Sequence, residues 1–143
     1  MSEPKSEPKL SVGDYPLAEN RPELVVGKRG RRLDEITLEA VLEGRATLED
    51  LAITGETLRH QAAIARAAGR PTLARNFERG AELVDVPQET IMRVYELLRP
   101  GRARSKVDLL AAAQSLRTAH GAHAIAAFVE EAAEVYERRG LFK

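Results

Sequence analysis

A chain of 143 residues has room for one hydrophobic core and is short for two independent enzyme domains. Its content of 43% hydrophobic and 31% charged residues excludes global disorder, and only 4% aromatic residues disfavour an all-β sandwich. The 22 basic residues equal the 22 acidic residues, so no net field attracts nucleic acid or an anionic membrane. Because the chain has no cysteine and no apolar stretch of membrane-spanning length, we expect a cytoplasmic protein.

The N-terminal residues form a low-complexity segment. A Ser-Glu-Pro-Lys motif starts at Ser2 and is repeated from Ser6. Prolines four residues apart exclude a regular helix, and the segment has little apolar surface to offset the entropy of ordering. Residues 1–13 are therefore predicted to be a disordered tail.

Residues 14–33 are predicted to form an extended arm. Prolines in this stretch restrict the residues before them to extended conformations, and glycines interrupt its apolar run. An arm of this kind cannot form its own core, so its apolar side chains must either pack on the helical part or contact another chain. These side chains are Tyr15, Leu17, Leu24 and Val25.

From residue 34 onward the apolar spacing predicts helices. Asp34 is predicted to be the N-cap of a short helix that ends at Gly44, and Thr54 to precede the first long helix. The clearest apolar stripe, spaced as on one helix face, is Ile91, Val94, Tyr95 and Leu98. No segment alternates with a period of two. Residues 34–143 are therefore predicted to form an all-α domain of about five main helices.

No catalytic or metal-binding constellation is evident in the sequence. His120 and His123 are three residues apart, but a glycine lies between them and no cysteine or nearby aspartate completes a ligand set. His60 is interpreted as a partly exposed packing residue on its helix rather than a general base. The glutamates between 130 and 137 are interpreted as a solvated face, because Glu134 precedes Arg138 by four residues. We predict no catalytic, cofactor-binding or metal-binding residue on this chain.

Two basic stretches, residues 28–32 and 99–106, surround glycines and could contact phosphates. The alternative is a solvated loop or a contact with an acidic protein. The alternative is favoured, because the net charge is zero and no aromatic residues are interleaved with the basic ones. The residues by themselves therefore indicate a helical binding or subunit module.

Ordered motifs along the chain carry a family resemblance. They include Tyr15-Pro16-Leu17-Ala18-Glu19, Leu33-Asp34-Glu35-Ile36-Thr37-Leu38, Leu51-Ala52-Ile53-Thr54, Ile64-Ala65-Arg66-Ala67-Ala68-Gly69-Arg70-Pro71 and Glu131-Ala132-Ala133-Glu134-Val135-Tyr136. Motifs of this length and order are specific. Over residues 15–139 the chain resembles the small (gamma) subunit of adenosylcobalamin-dependent propanediol and glycerol dehydratases.

This resemblance implies a noncatalytic subunit of a larger enzyme. The family's enzyme is a dimer of heterotrimers that converts 1,2-propanediol or glycerol to an aldehyde and water by a radical mechanism. Adenosylcobalamin is expected to be held by the large and medium subunits, and none by this chain. The small subunit is expected to clamp and stabilise the large catalytic subunit, without nucleic-acid or membrane partners, in the cytoplasm or within a bacterial microcompartment. The resemblance does not choose between propanediol and glycerol.

The interface candidates lie on the arm and around the predicted turn at Gly69. The arm residues Tyr15, Leu17 and Leu24 are predicted to be exposed in the isolated chain. Arginine suits bidentate pairing across an interface, and the candidates of this type are Arg66, Arg70 and Arg79. The alternative for these arginines is pairing within the chain to Glu78 or Glu82. A second function stays open, that of a freestanding helical adaptor that binds protein or nucleic acid through its arm and basic loops.

Overall fold

The computed structural model describes residues 7–142, and over this range it contains helices and no strand. The helices are α1 (Leu17–Asn20), α2 (Leu38–Leu42), α3 (Leu48–Leu51), α4 (Gly55–Ala67), α5 (Pro71–Leu83), α6 (Gln88–Leu98), α7 (Lys106–His120) and α8 (His123–Arg138). Short 3-10 turns lie at Val12–Asp14, Pro22–Leu24 and Leu33–Glu35. The all-α prediction is confirmed, and α4 to α8 are the five main helices.

The prediction that Thr54 precedes the first long helix is confirmed, because α4 begins at Gly55. The Thr54 hydroxyl accepts a hydrogen bond from the backbone N–H of Thr57, and α5 begins at Pro71. Gly121 ends α7 with a φ of +61°, in the left-handed region that glycine adopts without a steric penalty. The prediction of Asp34 as an N-cap is wrong. Its carboxylate is bound by the Arg32 guanidinium, and Thr37 caps α2 instead by accepting from Ala40 N at 3.1 Å.

Packing divides the chain into two units between Ala81 and Glu82. This division lies inside the stretch that the sequence analysis treats as one helical domain, residues 34–143. In the first unit, one small cluster joins the N-terminal segment to α4 and a second lies between α4 and α5. The second cluster is built from small side chains, Ala62, Ala65 and Ala74, with Leu73 and Phe77 packed against them.

The N-terminal segment departs from its predicted form. Residues 1–6 of the predicted tail lie outside the described residues. Leu10, which was assigned to the disordered tail, is buried in a cluster with Leu17 and Ile64. The arm is not simply extended either, because α1 and a 3-10 turn fold its apolar residues back onto α4. Three buried side chains meeting in one cluster supply the apolar contact that a lone arm lacks.

The second unit is built around α7 and α8, which pack against each other across the turn at Gly121. Its core includes three fully buried large side chains, Leu109, Leu116 and Val129. Glu82 accepts hydrogen bonds from the first backbone N–H groups of α8, at Ala124 (2.9 Å) and Ile125 (2.8 Å). A carboxylate at a helix N-terminus is favourable, because it meets unpaired N–H groups and the positive end of the helix dipole. Among residues 7–142, no helix combines the length and apolar character needed to cross a bilayer.

Candidate subunit interface

Large apolar side chains are exposed in the segment that contains α2 and α3. Leu38, Leu42 and Leu48 are 75%, 77% and 84% exposed, although leucine is among the residues most often buried. The whole set, which we name the α2–α3 surface, is Leu33, Leu38, Val41, Leu42, Leu48, Leu51 and Ile53. Half of the exposed large hydrophobic side chains among the described residues belong to it. Such a concentration is typical of an interaction site.

Helix geometry explains why these side chains share faces. On α2, Leu38 precedes Val41 and Leu42 by three and four residues, so the three side chains lie on one side of the helix. The same spacing places Leu48 beside Leu51 on α3. The buried residues of these short helices are small or polar, Ala40 on α2 and Asp50 on α3, and Ala46 between the helices is buried as well. The segment thus turns its small side chains inward and its leucines outward.

Asp50 anchors this segment through a buried charge network. Its side chain is fully buried, and Oδ2 accepts from the backbone N–H of Thr47 at 2.9 Å and from Arg29 Nη1 at 3.1 Å. Arg31 Nε lies 3.6 Å from the same oxygen. A buried carboxylate needs such partners, because an unpaired charge in the interior is strongly unfavourable.

The network also accounts for much of the first basic stretch. Arg29 and Arg31 are directed to Asp50, and Arg32 pairs with Asp34. In the second basic stretch, Arg99 pairs with Glu96. These guanidinium groups therefore already have carboxylate partners within the chain. This pairing argues against phosphate binding by the basic stretches.

The structure separates the predicted arm candidates. Tyr15 is 59% exposed, as expected. The prediction that Leu17 is exposed is wrong, because it is 2% exposed in the cluster with Leu10 and Ile64. Leu24 is half-buried against the same cluster. Apolar arm residues were predicted either to pack on the helical part or to contact another chain, and Leu17 does the former.

Two of the three arginine candidates have hydrogen-bond partners on α5. Arg66 Nη1 donates to Glu78 Oε1 at 2.7 Å, which is the intramolecular alternative considered for it. Arg79 Nη1 donates to Asn76 Oδ1 at 3.0 Å. Arg70 is exposed and lines a shallow cleft at the start of α5. Contact of any of the six candidates with a partner subunit stays a prediction.

The α2–α3 surface was missed by the sequence analysis. The available signal was the helical spacing of Leu38, Val41 and Leu42, and of Leu48 and Leu51. The same spacing is expected of a face packed on the chain's own core. Only the exposure of each side chain in the structure distinguishes an apolar stripe that faces the core from one that faces outward.

The titratable side chains form structural ion pairs. Arg117 holds Glu130 through two hydrogen bonds of 2.7 and 2.9 Å, and its guanidinium lowers the pKa of that carboxyl. Glu134 pairs with Lys106 at 2.8 Å rather than with Arg138, so the predicted surface pair is wrong. Hydrogen bonds to Glu134 and then Glu137 raise the pKa of the Lys106 ammonium. These carboxylates pair with cations rather than with one another.

The three histidines are not gathered into a site. His60 is buried on α4, with Nε2 4.0 Å from Glu56 Oε1. His120 ends α7 and His123 begins α8. Within residues 7–142, no group of three or more His, Cys, Asp or Glu side chains is arranged to hold a metal ion.

The described residues do not fit adenosylcobalamin, the cofactor implied for the complex. A cleft of about 460 Å³ beside α1 is lined by Ala18, Pro22, Glu23, Arg32, Leu33 and Asp34. This volume suits a drug-sized ligand, and corrinoids are much larger. Its lining also offers no imidazole or sulfur to ligate cobalt.

Comparison with known proteins agrees with the motif resemblance. Residues 10–143 match the family model described as dehydratase small subunit. The propanediol dehydratase small subunit of Salmonella typhimurium (strain LT2) is 49% identical over 132 residues, which cover 92% of this chain and 76% of that protein. The propanediol dehydratase small subunit of Citrobacter freundii is 48% identical, with the same coverage. The chain therefore belongs to the dehydratase small subunit family.

Proposed function

We propose that this chain is the noncatalytic small subunit of a coenzyme B12-dependent diol dehydratase, a carbon–oxygen lyase. The enzyme would convert 1,2-propanediol or glycerol to an aldehyde and water. Two relatives that match 92% of the chain are propanediol dehydratase small subunits, which favours 1,2-propanediol. The radical chemistry belongs to adenosylcobalamin bound by the other subunits, and this chain contributes no reacting group.

The α2–α3 surface is the observation that carries this proposal. A subunit whose role is to bind another protein needs an apolar face that is exposed to solvent in the isolated chain. Leu38, Leu42 and Leu48 supply such a face, and Asp50 holds the helices that present it. Interfaces of permanent complexes are commonly large and apolar, so folding and association are coupled. We assign this surface to the large catalytic subunit, which the chain would clamp and stabilise.

The proposed assembly is a dimer of heterotrimers of large, medium and small subunits, in the cytoplasm or within a bacterial microcompartment. A freestanding adaptor that binds nucleic acid is less well supported. The basic stretch that would contact phosphates has Arg29, Arg31 and Arg32 paired to carboxylates of the same chain. Binding phosphate there would require breaking these pairs.

Co-expression with the large and medium subunits tests the proposal. The wild-type chain should co-purify with a tagged large subunit and support diol dehydration by the reconstituted complex. Replacing Leu38, Leu42 and Leu48 together by Ser should reduce co-purification by about tenfold or more, because central apolar side chains dominate such interfaces. The control is Val107→Ser, at a side chain that is 69% exposed on α7. A wild-type chain that fails to associate, or is dispensable for a stable, active enzyme, would contradict the proposal.

A further inference from the structure

A cleft in the first unit adjoins the α2–α3 surface. Its volume is about 260 Å³, and it lies between the segment around residues 25–36 and the residues that connect α3 to α4. Most of its lining is aliphatic, provided by Val25, Val26, Leu33, Ile36, Leu51 and Ile53. Arg31 and Asp50 also line it, and they are bound to each other. The cleft is therefore a mainly apolar hollow with one polar end.

The walls of this cleft are held in place by ion pairs and a backbone contact between its two sides. The two sides are joined where Arg29 and Arg31 reach the buried Asp50 carboxylate across 21 and 19 residues of sequence. They are also in close backbone contact, because the carbonyl oxygen of Asp50 lies against Gly27. A hollow held in this way needs little reorganisation before binding, and a preorganised site loses less entropy when it is filled.

We propose that this cleft, which we name the socket, receives one large apolar side chain of the large dehydratase subunit. The proposal rests on the proposed function and adds where and how the contact is made. Leu33, Leu51 and Ile53 belong to both the socket and the α2–α3 surface, so the two form one continuous face. A flat apolar surface beside a hollow is the arrangement in which a buried anchor side chain dominates binding.

Size and polarity define the occupant. A cavity of about 150 Å³ accepts a benzene ring, so a cleft of 260 Å³ has room for an aromatic or branched aliphatic side chain. A charged side chain is disfavoured, because most of the lining is aliphatic and burying a charge against it is costly. The partner is therefore expected to offer an apolar anchor residue rather than an ionic one.

Filling the socket from within tests the inference. Ala52 lines it and has an extended backbone, with φ −70° and ψ 132°, that accepts a larger residue. Ala52→Phe should occupy the hollow and weaken binding to the immobilised large subunit by about tenfold or more, with unchanged helix content. Ala111→Phe, at an exposed position on α7, adds the same bulk away from the socket and should bind within about twofold of wild type. Equal binding by Ala52→Phe and wild type, or equal loss in both variants, would overturn the socket.

A second variant decides the matter if Ala52→Phe does not fold. Ile53 is an exposed side chain that forms part of the socket wall. Ile53→Ala shortens it, and it should weaken binding severalfold while the chain stays folded. Wild-type binding by Ile53→Ala would overturn the socket in that case. These outcomes are separate from failure of the proposed function, which would be seen as the absence of binding by the wild-type chain itself.

Discussion

The carbonyl oxygen of Asp50 lies so close to Gly27 that a Cβ atom at position 27 would be 2.5 Å from it. No side chain can be accommodated at that distance without a shift of the backbone. The contact brings the basic stretch against α3, where the Asp50 carboxylate then meets Arg29 and Arg31. One glycine and one aspartate thus fix the segment that carries the α2–α3 surface.

Gly27→Ala is the first prediction that follows. The added methyl group must displace the Asp50 backbone, and overpacking of this kind costs about 1–3 kcal/mol. We expect the free energy of unfolding, measured by urea denaturation of the full chain, to fall by that amount. Binding to the large subunit should weaken as well, because the displaced segment carries the interface.

Gly13→Ala is the matched control for this prediction. A Cβ atom at Gly13 would meet the Ser11 hydroxyl at 3.7 Å, which is an ordinary van der Waals contact. Its stability should stay within about 0.5 kcal/mol of wild type. If the two variants have equal stability, the close approach at Gly27 does not constrain the fold.

Leu10→Ala tests the burial of a residue that the sequence analysis placed in a disordered tail. Leu10 packs with Leu17 and Ile64, and removing a buried leucine side chain costs about 2 kcal/mol or more. We expect that loss in urea denaturation, together with faster amide hydrogen exchange in α1. Val12→Ala, at a residue that is 54% exposed, should change stability by less than about 0.5 kcal/mol. Indistinguishable variants would restore the prediction of a tail that ends at residue 13.

The main helices could be predicted from sequence because their signals are local. Apolar spacing on α6 and the stops at Gly69 and Gly121 lie within a few residues of the structures that they determine. The network of Asp50 has a different character. Its guanidinium partners are 21 and 19 residues away, and the sequence near Asp50 shows only an acidic residue in the first turn of a helix.

The interface was harder to predict for a related reason. Leu38, Val41 and Leu42 have the spacing of a core-facing stripe, and nothing in the local sequence distinguishes a partner's surface from the chain's own core. Leu17 was expected to be exposed and is buried. Long-range packing decides both cases, and periodicity carries no information about it.

Acid unfolding should depend on the pair between α7 and α8. Arg117 lowers the pKa of Glu130 below its ordinary value of 4.5, so the folded state binds this proton less readily than the unfolded state. The pair therefore contributes stability above pH 4.5, and this contribution is lost as the pH falls through the lowered pKa. Glu130→Gln should be less stable than wild type near neutral pH, and the difference should vanish in acid.

The measurement is urea denaturation of both proteins across the acid range. Glu131→Gln is the control, at an exposed residue beside Glu130 that makes no ion pair within residues 7–142. Its free energy of unfolding should decrease with falling pH in the same way as that of wild type. If the free energies of unfolding of wild type and Glu130→Gln differ by the same amount at all pH values, the pair does not determine the loss of stability in acid.

The histidines provide the last prediction, which concerns catalysis by the assembled enzyme. General acid–base catalysis by one side chain contributes about 10²–10⁴-fold to a rate, so a catalytic histidine on this chain would be visible on removal. His120 and His123 lie on either side of a helix turn, and His60 is buried on α4 near a single carboxylate. None of the three lines the cleft beside α1, the socket or the cleft at the start of α5. We expect replacement by Ala, singly or together, to leave turnover within about tenfold of wild type when equal amounts of assembled complex are compared. Normalisation to assembled complex matters because His60→Ala leaves a space in the first unit and lowers stability without touching the chemistry. A loss of turnover above that limit in a complex of normal composition would place a catalytic group on this chain.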